Sequence, residues 1–176
     1  MFSKTSVRMM VSGLAIASCI VGASPLMTQA QSGLPGLTLF GSKGEDSLNY
    51  RLDFGGRANG WDRYRLRVPA KKMNLAVAQF AISYPDYYRG TFDEKGFELR
   101  VNNKKVPLQE VEWDRENNLI VLLPKDPVPA KSKVEIWLEN VKNPSTGGMF
   151  YFNLQVQSPG DLPLYRYMGT WVIQIS

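Results

Sequence analysis

An all-β fold, an antiparallel β-sandwich of immunoglobulin-like type with about eight or nine strands, is what this sequence predicts. Three observations carry that expectation. Apolar and polar residues alternate with period two in segment after segment, helical periodicity is nearly absent, and Pro, Gly and Asn divide the segments. Alternation puts every second side chain on one face of a strand, so each segment has one face to bury. A single sheet of this size would leave that face in water, which favours two packed sheets; a closed barrel is the alternative. An outer-membrane barrel fits less well, because the polar parities carry Arg and Glu where lipid would require apolar side chains.

Residues 48–54 place Leu48, Tyr50, Leu52 and Phe54 on one face and Asn49, Arg51 and Asp53 on the other. Residues 63–68 alternate Arg63, Arg65 and Arg67 with Tyr64, Leu66 and Val68 until Pro69, which cannot donate to a ladder. The arginines are expected in solvent. From Leu75 to Tyr84 both parities are apolar, as in a central strand, although the Ala-rich middle also offers the one plausible helix. Pro85 to Gly96 combines Pro, Asp, Gly and aromatics and predicts a long exposed loop. Phe97, Leu99 and Val101 then alternate with Glu98 and Arg100, and Asn102-Asn103 tolerates the positive φ of a tight hairpin. A second hairpin joins Val111 and Trp113, through a turn at Arg115 to Asn118, to the apolar run Leu119 to Leu123. After Pro124, Pro127 and Pro129 come three more strands with inner faces Val134, Ile136 and Leu138; Phe150, Phe152, Leu154 and Val156; and Trp171, Ile173 and Ile175.

The first thirty residues read differently. Lys4 and Arg8 precede an apolar run from Met9 to Ala23, and no acidic residue occurs before Glu45. The run is interrupted by Ser12, Gly13 and Ser18 and falls short of the roughly 20 apolar residues of a spanning helix, so it predicts a signal peptide. Small residues at Thr28 and Ala30 place cleavage before Gln31, leaving residues 31–176 as one domain with no transmembrane segment in the mature chain. A rival is a lipobox at Ile16-Ala17-Ser18-Cys19, but Ile20 and Val21 continue the apolar run beyond the cysteine. The expected location is periplasm, cell envelope or medium.

Of 176 residues, 44% are hydrophobic and the net charge is +5; loss of Lys4 and Arg8 leaves 19 basic against 16 acidic residues, too mild a balance for a nucleic-acid partner. There is no histidine, and Cys19 is the one cysteine. That removes the usual general base, the usual transition-metal ligand and the partner of a nucleophilic serine, so no cofactor and no enzyme activity are expected. Glu110, Glu112 and Asp114 share a strand face at about 6.6 Å intervals, which any alternating strand produces, so the row reads as solvated and paired with the Arg63, Arg65 and Arg67 row or another basic strand. Asp86, Asp93 and Glu94, and Asp114, Glu116 and Asn117, carry oxygen ligands for calcium but match no calcium loop and read as turn formers. Met73, Met149 and Met168 are the remaining soft ligands and read as core filling.

The segments LDFGGRANGWDRYRLRVPAKK, AVAQFAISYPDYYRGTFDEKGFELRV, EIWLENVKNPSTGG and MGTWVIQIS resemble the exported cyanobacterial family known as domain of unknown function 2808, over about Leu37 to Ser176. The resemblance implies an envelope or secreted location and names no site. From the residues themselves, Trp137 falls on the polar parity of its strand, Tyr87 and Tyr88 in the long loop and Trp61 after a Gly-rich turn. The binding expectation is therefore Trp61, Tyr87, Tyr88 and Trp137, aided by Arg63, Arg65 and Arg67, with an envelope polysaccharide or another envelope protein as partner. A structural or assembly role in the envelope is the alternative, and an unrecognised hydrolase the remaining one.

Overall fold

In the computed structural model, residues 46–160 and 164–176 are described; the expected leader, with Cys19 and its cleavage site, lies outside them. Ten strands form two antiparallel sheets. They are β1 (Tyr50–Leu52), β2 (Trp61–Val68), β3 (Gln79–Ser83), β4 (Phe97–Val101), β5 (Lys104–Val106), β6 (Leu108–Asp114), β7 (Leu119–Pro124), β8 (Val134–Lys142), β9 (Gly148–Gln157) and β10 (Tyr165–Ile175). One sheet has the order β1-β2-β8-β4-β5 and the other β10-β9-β3-β7-β6. The inner parities read from the sequence meet between them. Tyr64, Leu66 and Val68 of β2 and Val134, Ile136 and Leu138 of β8 join Phe80 and Ile82 of β3, Phe152 and Leu154 of β9 and Trp171 of β10 in one fully buried cluster. Each large apolar side chain so buried contributes about 1.5–3 kcal/mol. The immunoglobulin-like sandwich is therefore the fold, with ten strands rather than eight or nine.

The extra strand comes from Pro107. The Asn102-Asn103 turn, with φ of 50° and 68°, pairs β4 with β5 in one sheet, and after Pro107 the chain continues as β6 against β7 in the other. What reads as one segment thus serves both layers. Three other expectations change. The strand at 48–54 shrinks to β1, because Gly55 and Gly56 (φ 84° and 64°) turn the chain and leave Phe54 61% exposed. The Leu75–Tyr84 strand begins only at Gln79, although Val77 makes a bridge to Val128, and its Ala-rich part forms no helix. Among the described residues the helical segments are two single 3-10 turns, Ala70–Lys72 and Glu94–Gly96, and no helix is long and apolar enough to cross a membrane.

The third change concerns Pro85 to Gly96, a loop that is exposed at Asp86, Tyr87, Arg89, Thr91, Glu94 and Lys95 but not throughout. Thr91 bridges Lys142, and Tyr88 and Phe92 enter the core at 3% and 7% exposure. Tyr88 stands edge-on to Phe150 and Phe152, each about 5.1 Å away, and stacks on Phe92. Gly90 makes this possible: a Cβ there would lie 2.5–2.7 Å from the Tyr88 ring. At the other end of the sandwich, β10 bulges between Tyr167 and Gly169, and Gly169 (φ 146°) lets the backbone of Asp46 and the side chain of Leu48 pass against it.

Candidate binding faces

The outer face of the β1-β2-β8-β4-β5 sheet is built of charge. Twelve of the sheet's 28 strand residues are ionised, and the register sets Glu135 between Arg67 and Arg100, while Arg51 faces Arg65 and Arg100 faces Lys105. Arg63, Arg65 and Arg67 do face outward. Each is paired: Arg63 with Glu139 (2.6 Å) and Asp53 (3.3 Å), Arg65 with Asp53 (2.7 Å), and Arg67 with Glu135 (3.2 Å). Their acidic partners therefore come from β8 and from the turn after β1, not from the Glu110 row, because β6 is an edge strand of the other sheet. Hydrogen bonding to Glu139 pushes the Arg63 guanidinium up. Glu98 is held below its ordinary range mainly by Lys105, with Arg100 adding to it. Burial pushes Glu135 up, but the Trp137 indole N–H, Arg67 and Lys133 together bring it below the ordinary value.

Trp137 lies in the middle of this ladder, opposite Arg65 on one side and Glu98 on the other. The guanidinium carbons of Arg65 and Arg100 stand 4.1 and 3.6 Å from its ring centroid, and its Nε1 donates to Glu135 at 3.1 Å. The ring is half-buried, and the two guanidinium groups take up stacking surface that a ligand would use. Trp61 is the opposite case. It is 62% exposed and, with Thr91, Phe92, Asp93 and Asn140, lines an open cleft of about 500 Å3. Tyr87 is 54% exposed and lies tilted on Phe150. Tyr88 corrects the expectation most clearly: it is a core residue whose hydroxyl meets that of Tyr64 at 3.0 Å. Tyr64 donates to Asn143 Oδ1, and Asn143 Nδ2 donates to the Arg57 carbonyl, giving a buried polar chain. Desolvation pushes both tyrosines well above their ordinary range.

The acidic clusters serve the backbone. Asp114 accepts from the backbone N–H groups of Glu116 and Asn117, each at 3.0 Å, and from Asn117 Nδ2, which most strongly holds its carboxyl down. Asp93 caps the 3-10 turn at Lys95, and Glu94 accepts from Trp113 N at 3.0 Å. Among the described residues no group of three His, Cys, Asp or Glu is placed to hold a metal. Met73 and Met168 are buried and Met149 is exposed.

The other outer face was not anticipated. Of the 32 residues in β3, β7, β9 and β10, one is charged, Arg166, and it lies on the inward parity opposite Val156. The outward rows are Tyr165, Gln157 and Gln79; Tyr167, Gln155, Ala81 and Val121; Thr170, Asn153, Ser83 and Leu119; Val172 and Tyr151; and Gln174 and Met149. Tyr165, Tyr167 and Tyr151 are 51%, 42% and 36% exposed. Gln79 Nε2 donates to the Tyr165 hydroxyl at 2.8 Å, and the Tyr167 hydroxyl meets Thr170 Oγ1 at 2.6 Å. Over these four strands the result is an uncharged surface of phenol rings and amides, with neighbours in a row about 4.8 Å apart across strands; Glu110, Glu112 and Asp114 of β6 border it at the far edge. Amides both donate and accept, and rings supply flat contact area with few rotors. A signal existed in the sequence: residues 148–157 contain no charge, although their outward parity is polar.

The family described as "Protein of unknown function (DUF2808)" matches residues 37–175, and the chain belongs to it. No curated protein matches. Solved structures that resemble the chain include the bacterial hydrophobin BslA, 13% identical over 77% of this chain and 97% of that one at a TM-score of 0.48. A collagen-binding domain from a Staphylococcus aureus adhesin is 11% identical, covering 73% of this chain and 95% of its own, at 0.43. An uncharacterized Nocardia farcinica protein with an immunoglobulin-like fold is 12% identical, covering 74% and 98%, at 0.39. Nothing about this chain's activity follows from likenesses so distant.

Proposed function

We propose that this member of the DUF2808 family is an exported, non-catalytic envelope module that binds a glycan on the outer face of the β10-β9-β3-β7 sheet. The observation that supports this is the contrast between the two faces. One is densely charged and self-paired, with Trp137 enclosed; on the other the ionised groups Glu110, Glu112 and Asp114 are confined to the edge strand β6, and β10, β9 and β3 present Tyr151, Tyr165 and Tyr167 among Asn153, Gln155, Gln157 and Gln79. Sugar rings offer hydroxyls that need partners able to donate and accept, and C–H faces that stack on phenols. Export rests on the leader at residues 1–30. Tyr87, tilted on Phe150 of β9, belongs to this proposal as an accessory contact, whereas Trp61 stands on β2 of the opposite sheet and Tyr88 and Trp137 are structural.

The test is calorimetric titration of the protein with envelope polysaccharide fragments, comparing wild type with Tyr165→Ala/Tyr167→Ala, Trp61→Ala and Trp137→Ala. Binding weakened at least tenfold by the tyrosine pair and unchanged by Trp61→Ala or Trp137→Ala is the expected pattern. No heat with any fragment at millimolar sugar, or loss only with Trp137→Ala, refutes it. A concentration-dependent mass abolished by the tyrosine pair, without sugar binding, would instead assign the face to self-association.

A further inference from the structure

Arg166 is out of place. On β10 every neighbouring inward position is apolar or glycine, and its cross-strand partner Val156 is fully buried. Two of its nitrogens, Nε and Nη2, are sealed from solvent and have no hydrogen-bond partner among the described residues. An unmet buried donor costs about 1–3 kcal/mol, and more when it is charged, so such a group normally has something to hold. Nε and Nη2 also form one edge of the guanidinium, with parallel N–H bonds spaced to meet the two oxygens of a carboxylate. The same edge holds a carboxylate elsewhere in this molecule, where Arg65 Nε at 2.8 Å and Nη2 at 2.7 Å converge on one oxygen, Oδ2, of Asp53.

Arg166 is among the residues lining an open cleft of about 340 Å3, with Asp46, Lys71, Lys72, Asn74, Tyr167 and Met168, while its Nε and Nη2 lie behind the surface. Lys72 is engaged by Asp46 (3.3 Å) and the Met168 carbonyl (2.9 Å), whereas Lys71 has no ion pair among the described residues. Among the described residues, three cations against one carboxylate make the cleft net positive. Tyr167 belongs both to this cleft and to the uncharged tyrosine-amide face. We propose that the cleft is a subsite for the carboxylate of an acidic sugar, a uronate, in the glycan that lies across that face; this deepens the reading given above and rests on it. A small swing of the long Arg166 side chain brings its free edge to the carboxylate. Lys71 adds long-range attraction, and Asn74 is a neutral donor beside it.

Polygalacturonate oligomers and their methyl esters differ in the carboxylate alone, so titrating both separates the subsite from the face. Wild type is expected to bind the acid at least tenfold tighter than the ester. Arg166→Gln and Arg166→Lys, the second keeping the charge but losing the paired edge, should bring the ratio within twofold while leaving binding of the ester intact. Equal wild-type affinity for acid and ester refutes the subsite and spares the face. Equally tight binding of dextran sulfate that survives Arg166→Gln would mean nonspecific attraction of polyanions and also refutes it. Monomeric galacturonate, followed by the Arg166 Nε–H resonance, reads the cleft even if no polymer binds. A saturable shift supports it, and no shift, or an edge already held by Glu45 or Asp161 and released by Glu45→Gln or Asp161→Asn, overturns it.

Discussion

Removing a single oxygen, in Tyr64→Phe, is expected to destabilise the protein far more than the chemically identical change Tyr88→Phe. The Tyr64 hydroxyl has one proton, which it donates to Asn143 Oδ1, so it must accept from Tyr88. Both rings and Asn143 are within a few per cent of complete burial, so water cannot replace a lost partner. Tyr64→Phe removes two bonds, worth about 1 kcal/mol each, and leaves the Asn143 oxygen without its donor, a further ~1–3 kcal/mol, for a total of about 3–5 kcal/mol. Tyr88→Phe removes one bond and leaves the Tyr64–Asn143 link, a loss of about 1 kcal/mol. Urea unfolding followed by tryptophan fluorescence reads the difference; with slopes of about 1–3 kcal/mol per molar urea, a 3 kcal/mol loss lowers the midpoint by about 1 M or more. The slope itself should not change. Equal losses in the two variants, or a double variant whose loss is the plain sum of the singles, would refute the polar chain.

The same residues predict a pH dependence at both ends. Tyr64, Tyr84 and Tyr88 have folded values raised by burial above the ordinary 10, so their contribution is complete below pH 10 and is lost as pH rises past it. Glu98 and Glu135 are lowered from 4.5, so the stability they lend is present above that value and disappears as pH falls below it; urea midpoints flat from pH 3 to 11 would contradict both. Gly90→Ala places a methyl within 2.7 Å of a tyrosine ring fixed among Phe92, Phe150 and Phe152, and is expected to cost about 1–3 kcal/mol in the same assay.

Side-chain alternation is a local property, and in β2, β8, β9 and β10 the structure follows it, the inner faces being the residues the pattern marks, whereas at 48–54 the turn at Gly55 and Gly56 leaves Phe54 in solvent. The Asn102-Asn103 hairpin was equally legible, since positive φ is a demand on the residue itself. Pro85 to Gly96 was misread for a related reason. Its composition reports a lack of regular backbone, which is correct, but whether an irregular segment carries its aromatics outward or inward depends on the space left by Phe150 and Phe152 sixty residues away.

The candidate site shows the same division. The sequence by itself determined that Arg63, Arg65 and Arg67 share a face and that Trp137 lies on a polar parity, because both follow from the two-residue repeat of a strand. Only the tertiary structure decided that β8 lies between β2 and β4, so that Trp137 is enclosed by Arg65 and Arg100. The same strand order sets β9 and β10 side by side to make a face of tyrosines and amides. Strand order is fixed by which apolar faces fit together across the whole core, and that sum over distant pairs is written in no single segment.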